Sequence, residues 1–336
     1  MNNSPILIQE FKAASLNVAP PLFLAPLAGV THSAFRRLIA DFGGYGALFT
    51  EMLSATALKG EDLHGSPYTK RRASEGKVVY QLRINAEEPL ELIIPRLKTI
   101  QADAIDINLG CPAPAIKRRK SGCALFEDTK DLHSLLANCR QLWDGPLSVK
   151  CRLGDGKDGW EKRFEEKLRI FEECKIDAIT VHPRFSNEKL KRNARWHLFP
   201  WITALTHIPV IANGDICSPK DVKTLLGESG CKAVMIGRMA VIRPWIFAQI
   251  SGLKCNVDHH QVWDTYCDYT LEDFPAEKAI GRIKQFCYYF SRNFLFGHQF
   301  YSAVQSSSNL DTLFSRANAF LSNTPQLCAS PSLSTT

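Results

Sequence analysis

No stretch of this 336-residue chain approaches the ~18–20 uninterrupted apolar residues that cross a bilayer, because polar or charged residues interrupt each apolar run. A membrane-spanning helix is therefore excluded. The N-terminus, MNNSPILIQEFKAAS, lacks a basic segment leading into a long apolar one and carries Glu10, which argues against a secretory or transit peptide. None of the eleven cysteines stands in a C-x-x-C pair, so the sequence writes neither a zinc knuckle nor a redox dithiol, and no metal site is expected. An odd number of thiols without an export signal reads as reduced cysteines in a cytoplasmic protein. Also missing is G-x-G-x-x-G after the first apolar run, where the turn reads APLAGVTHS; this disfavours an open dinucleotide-binding sheet.

What remains is an ordinary globular composition with an uneven charge. The formal net charge is +7, yet residues 246–336 sum to −1, so the positive field belongs to the first 245 residues. Two basic runs stand out there, KRRK at 117–120 and the group Lys189, Lys191, Arg192 and Arg195. One such run reads as a solvated face, whereas two in loops of one domain point to a polyanionic partner.

Short runs rich in β-branched residues begin near positions 22, 47, 78, 104, 147, 178, 209 and 233, at the spacing of one strand and one helix each. Helix-start signals fall between them: Ser33, Pro89, Asp131, Gly159 and the pair Ser218-Pro219. Eight such units predict a (β/α)8 TIM barrel over 21–245, preceded by an N-terminal extension (1–20). Beyond it the pattern turns helical, with runs such as 279–290 and 310–321, predicting a small helical domain over 246–324 and a disordered tail over 325–336.

A barrel of this type does its chemistry at the C-terminal ends of its strands. The residues expected there are Pro26, Glu51, Gln81, Asn108, Cys111, Lys150, Arg152, His182, Arg184, Asn213, Gly214, Asp215, Gly237 and Arg238. N-G-D at 213–215 and G-R at 237–238 follow the seventh and eighth strands, where such barrels hold phosphate on backbone amides with a nearby cation. Lys150 is the type of residue that stabilises negative charge at the N1–C2=O edge of a reduced isoalloxazine, and Gln81 can give and take a hydrogen bond on a pyrimidine edge. Together they predict FMN.

APLAG, T-E-M at 50–52, N-L-G-C-P at 108–112, V-K-C-R-L-G at 149–154, V-H-P-R at 181–184, A-N-G-D at 212–215 and I-G-R at 236–238 resemble, in order and spacing, the tRNA-dihydrouridine synthases. The resemblance runs from about residue 21 to 243 and continues through R-I-K-Q-F at 282–286. It implies reduction of the C5–C6 bond of uridines in tRNA by FMN recharged with NADPH. It further implies FMN contacts from Pro26, Leu27, Ala28, Gln81, Lys150, His182, Asn213, Gly214, Asp215, Gly237 and Arg238, with Cys111 as the acid that protonates C5. Asn108, Arg152 and Arg184 are then expected to touch the substrate base and its surroundings, and Arg282 and Lys284 to touch tRNA from the helical domain. No protein partner is implied. Ile84, Pro183, Phe185 and Cys123 depart from the family's usual residues near the flavin and in the loop after Cys111. Two alternatives use the same residues differently: an FMN-dependent dihydropyrimidine or dihydroorotate type dehydrogenase acting on a free small molecule, and a non-catalytic RNA-binding barrel.

Overall fold

The computed structural model describes residues 10–188, 190 and 192–333. Its centre is a closed barrel of eight parallel strands: β3 (Leu22–Leu24), β4 (Ala47–Phe49), β6 (Lys77–Arg83), β7 (Ala104–Leu109), β8 (Leu147–Arg152), β9 (Ala178–His182), β10 (Val210–Asn213) and β11 (Ala233–Ile236). Each pairs with the next in this order, and β11 pairs back with β3, so the barrel has no free edge. A short strand, β5 (Leu53–Ser54), adds to the upper end of β6. The eight expected strands are all present, and the fold is a TIM barrel followed by C-terminal helices. Among the described residues no helix is long and apolar enough to cross a membrane.

The period of two in each strand divides the core. Val78, Tyr80 and Leu82 of β6, Ile105, Ile107 and Leu109 of β7, and Leu147, Val149 and Cys151 of β8 point outward into the large core shared with the surrounding helices. Phe23, Phe49, Val79, Ala104, Ala178, Ile211 and Met235 point inward and form a second, smaller cluster. That cluster also contains Phe11, Ala13, Leu16 and Val18 from the antiparallel hairpin β1 (Phe11–Ala13) and β2 (Leu16–Val18). Part of the expected N-terminal extension is thus a plug. Phe11 meets Phe23 edge to face at 5.2 Å, and Phe23 meets Phe49 at 6.1 Å, closing the lower end of the barrel with aromatic rings.

Two helix starts differ from expectation. Ser33 opens its helix (Ser33–Phe42) from inside, His32 taking the N-cap position, while the Ser33 amide donates to the Pro67 carbonyl at 2.8 Å. Asp131 is the third residue of Thr129–Leu142; the cap is Asp128, whose carboxylate accepts from the Asp131 amide at 3.0 Å. Ser218 caps Pro219–Glu228 as expected, in a reciprocal box with Asp221.

Of the last helices, His259–Asp273 packs against Ser33–Phe42, while Ala276–Phe290, Gly297–Gln305 and Leu310–Leu321 pack on it and on one another. Tyr266 stacks on Phe286 at 4.0 Å beside Phe35, and Arg72 pairs with Asp273 at 2.7 Å. Gln285 donates to the Ala28 carbonyl at 3.0 Å, which ties the first barrel loop to this layer. The tail expected to be disordered from 325 is ordered as far as 333. Leu295 and Gln326 share a backbone hydrogen bond, Cys328 donates to Asn293, and Arg243 donates to the carbonyls of Cys328 and Ala329. Its carbonyls supply acceptors for arginines, a match that polar composition does not reveal; residues 334–336 lie outside the described residues.

Truncating the plug leaves a cavity that a closed barrel cannot collapse to fill. Phe11→Ala is expected to lower unfolding stability by about 3–5 kcal/mol, measured by urea denaturation. A change near zero would mean that the hairpin does not support the barrel.

Candidate active site

Above the apolar cluster the inward positions of β6 to β10 turn polar. They are Gln81 and Arg83, then Asp106 and Asn108, then Ser148, Lys150 and Arg152, then Thr180 and His182, and finally Asn213. Register sets them in levels, with Gln81 beside Asp106 and Asp106 beside Ser148, then Asn108 beside Lys150 and Lys150 beside Thr180, then Arg152 beside His182. Buried polar groups need partners inside the barrel. Ser148 and Gln81 donate to the two oxygens of Asp106 at 2.6 and 2.8 Å. Asn108 donates to Gln81 Oε1 at 2.9 Å, and the Cys111 amide donates to Asn108 Oδ1 at 2.7 Å.

A cavity of about 190 Å³ opens at this end of the barrel, lined by Pro26, Leu27, Lys150, Arg152, His182, Asn213, Gly214, Asp215, Gly237 and Arg238. Ten of the expected site residues therefore meet in one cavity. Gly214 has φ +116°, and a Cβ there would stand 2.7 Å from the His182 ring, so the loop after β10 admits no side chain. Asp215 Oδ1 accepts from Arg238, and its Oδ2 accepts from Arg184 and from the Ala194 amide, each bond 2.7 Å. A carboxylate so occupied braces the two arginines rather than repelling an anion. Asn213 is held by its Nδ2 donating to the Met235 carbonyl at 2.8 Å.

The electrostatics follow from burial. The Lys150 ammonium is lowered to about 8, chiefly by burial, which Asp106 opposes and nearby Arg152 reinforces. Burial raises the Asp106 carboxyl to about 6 against the pull of its hydrogen bonds and of Lys150. His182 is held well below its ordinary value by burial first, and then by Lys150, Arg152, Arg184 and Arg238. Arg184 Nη1 lies 2.8 Å from His182 Nε2; a guanidinium can only donate, so Nε2 accepts and the proton sits on Nδ1.

Other expected residues lie elsewhere. Gln81 is buried beneath the cavity, and Ala28 faces the helical domain through its carbonyl. Asn108 and Cys111 do not line the cavity; Asn108 stands beside Lys150 of its wall in register and holds the Cys111 amide. Arg184 is buried against Asp215. Arg282 and Lys284 are not in the site: Arg282 donates to Tyr68 and lies over the Tyr68 and Phe274 rings, and Lys284 donates to the carbonyls of Gln305 and Ser307 at a helix end. In the basic runs, residues 117–120 are all exposed in the loop that follows Cys111, with Lys120 paired to Glu87. Arg195 is bound to Glu188 over the Phe185 ring, Arg192 is exposed, and Lys189 and Lys191 lie outside the described residues. Asp106 was missed; its signal is a charged residue at an inward position of the apolar run AIDINL. Leu333 was missed as well: it lines the cavity, and its carbonyl accepts from Arg238 at 2.9 Å, a tertiary contact without a local signature.

The sequence model of the family described as dihydrouridine synthase matches residues 23–304. Curated relatives include the tRNA-dihydrouridine synthase B of Xanthomonas axonopodis pv. citri, 34% identical over 239 residues that cover 70% of each chain. That of Vibrio parahaemolyticus is 33% identical over 261 residues, covering 77% of this chain and 76% of the relative. That of Escherichia coli K12 is 32% identical over 231 residues, covering 68% and 70%. Among solved structures, a complex of 2-naphthoyl-CoA reductase with 2-naphthoyl-CoA aligns with a TM-score of 0.55 at 13% identity, covering 73% of this chain and 52% of that one; it shares the fold.

The His182 assignment has a direct check. Its ring is expected to stay neutral with the proton on Nδ1 through the range around pH 6.5 where an ordinary imidazole titrates, read from imidazole nitrogen shifts by NMR. An imidazolium signal in that range, or the opposite tautomer, would contradict the hydrogen-bond assignment.

Proposed function

The chain belongs to the dihydrouridine synthase family, and from that premise we propose that it reduces uridines of tRNA to 5,6-dihydrouridine in the cytoplasm, using FMN and NADPH. One observation carries the reading. Lys150, the glycines 214 and 237, and Arg238 converge on one cavity, and Asn108, whose Oδ1 holds the Cys111 amide, stands beside Lys150 in the barrel register.

The residues present suit FMN. Gly214 and Gly237 leave backbone amides approachable, Arg238 is held at the same rim for a phosphate, and Pro26 and Leu27 offer apolar surface. Lys150 would face the part of the ring that becomes negative on reduction. When bound, FMN recharged by NADPH supplies the hydride that C6 of the target uracil receives. The chain's own work is then to hold the base and to give C5 a proton. Asn108 retains one N–H and one lone pair beyond its two hydrogen bonds and can meet the uracil edge. Cys111 delivers the proton to C5 from the face opposite the hydride. Arg152 donates to the Phe185 carbonyl at 3.1 Å at the cavity rim, where it favours a phosphate of the extruded nucleotide. Lys117, Arg118 and Arg119, exposed beside the Cys111 loop, grip the flanking RNA backbone.

The purified protein is expected to be yellow with non-covalent FMN, and Lys150→Ala to lose flavin or slow its reduction. A colourless wild type that takes up no flavin on titration would contradict the proposal. Mass mapping of tRNA from cells with and without the gene is expected to show dihydrouridine lost at defined positions; an unchanged map would remove tRNA as the substrate.

Neutralising Lys117, Arg118, Arg119 and Lys120 is expected to weaken tRNA binding. It should also flatten the slope of log affinity against log salt by about 0.7–0.9 per lost phosphate contact. An unchanged slope would return this run to the role of a solvated face.

A further inference from the structure

Asp106 is fully buried at the centre of the barrel and belongs to none of the groups assigned above to the flavin or the substrate. Its two oxygens accept from Ser148 and Gln81, its neighbours at the same level of β8 and β6. An ionised carboxylate accepts hydrogen bonds and gives none. The Gln81 amide must therefore turn its NH2 toward Asp106, which leaves Oε1 for the NH2 of Asn108. Asn108 then presents Oδ1 to the backbone N–H of Cys111, a group that can only donate. Had either amide the opposite orientation, the Cys111 N–H would face an NH2 group. The order of donors and acceptors from the barrel floor to the Cys111 loop is thus fixed at its lower end by one carboxylate.

The same carboxylate lies diagonally across from Lys150 on the inward face: Asp106 pairs with Ser148, and Lys150 is the next inward residue of β8. The other groups acting on that ammonium are Arg152, His182 and the thiols of Cys151 and Cys111. Burial and Arg152 both disfavour a charged Lys150, and Asp106 is the main opposing influence.

We propose that Asp106 is a positioning residue that keeps Lys150 charged and, through Gln81 and Asn108, sets the hydrogen-bond order that holds the Cys111 loop. The inference rests on the reading of Lys150 and Cys111 given above. Its tests need neither flavin, tRNA nor turnover, so failure of that reading and failure of this one are told apart.

Two substitutions separate the two effects. Asp106→Asn removes the charge but can keep the relay, since its amide oxygen can still accept from Gln81 while its NH2 faces the Ser148 hydroxyl. Asp106→Leu removes both. In flavin-free protein, acetylation of Lys150 by acetic anhydride, followed by peptide mass mapping, reports its neutral fraction; in the wild type it should rise with pH through an inflection near 8. In Asp106→Asn, labelling of Lys150 at pH 7 is expected to rise at least about fivefold, the result of a pKa lowered by about one unit. Exposed Lys117 and buried Lys167 should label as before. No rise at Lys150 would overturn the charge role, and a parallel rise at Lys167 would mean general loosening and overturn it equally.

For the relay, hydrogen exchange of the Cys111 amide is expected to stay slow in Asp106→Asn and to speed up at least tenfold in Asp106→Leu. Unchanged exchange in Asp106→Leu would overturn the relay. If Asp106→Leu does not fold, Gln81→Leu cuts the same chain one link higher, with the same expectation and the same overturning result.

Discussion

A polar side chain pointing into a closed barrel has no water to turn to, and the upper half of this structure is arranged around that constraint. From β6 to β10 the inward positions above the aromatic plug carry amides, hydroxyls, a carboxylate and cations. The answer is a network in which Asp106 accepts from both sides, Gln81 and Asn108 pass hydrogen bonds upward, and Asp215 gathers Arg184 and Arg238. Gln81, Asn108, Arg184 and Arg238 are thus each held by a hydrogen-bonding partner, and their orientation is settled before any ligand arrives. Preorganisation of this kind lets a site stabilise developing charge without reorganising at the moment of reaction.

The division between plug and site gives the barrel two different ends. Below, Phe11, Phe23 and Phe49 fill the interior with rings that need no partners. Above, glycines make room: Gly214 runs so close to His182 that a methyl group would collide with the ring. The helical layer bears on this end through Gln285, which holds the Ala28 carbonyl, and the C-terminal segment reaches it through Leu333, whose carbonyl Arg238 engages. Elements distant in sequence therefore stabilise the loops that surround the cavity.

Much of this was legible in the chain. The eight strands announced themselves because runs such as VVYQLR and AIDINL are β-branched, short and regularly spaced, and the polar residues at their ends mark one face of the barrel. The cavity residues from Lys150 to Arg238 followed from those positions. What the sequence hid were one local choice and several tertiary contacts. Between Asp128 and Asp131 the cap is decided by which backbone amide lies free, and both residues have the right chemistry. Lys284 and Arg282 read as tRNA contacts of the helical domain, yet Lys284 serves a neighbouring helix end and Arg282 lies over Tyr68 and Phe274. The tail reads as disordered because its hydrogen bonds are made by its own carbonyls, which every residue possesses.

Cys111 and Cys123 stand in one loop, joined by a backbone hydrogen bond of 3.1 Å, but only Cys123 is deeply buried, and burial raises its thiol's pKa. In the proposed reaction Cys111 gives C5 its proton and Cys123 packs the loop. Single-turnover oxidation of prereduced flavin by unmodified tRNA, under anaerobic conditions, separates them. The prediction is that Cys111→Ala binds FMN and tRNA normally yet slows this step by about 10²–10⁴-fold, while Cys123→Ala stays close to wild type. A near-normal rate in Cys111→Ala, or a collapse in Cys123→Ala instead, would contradict the assignment of the acid.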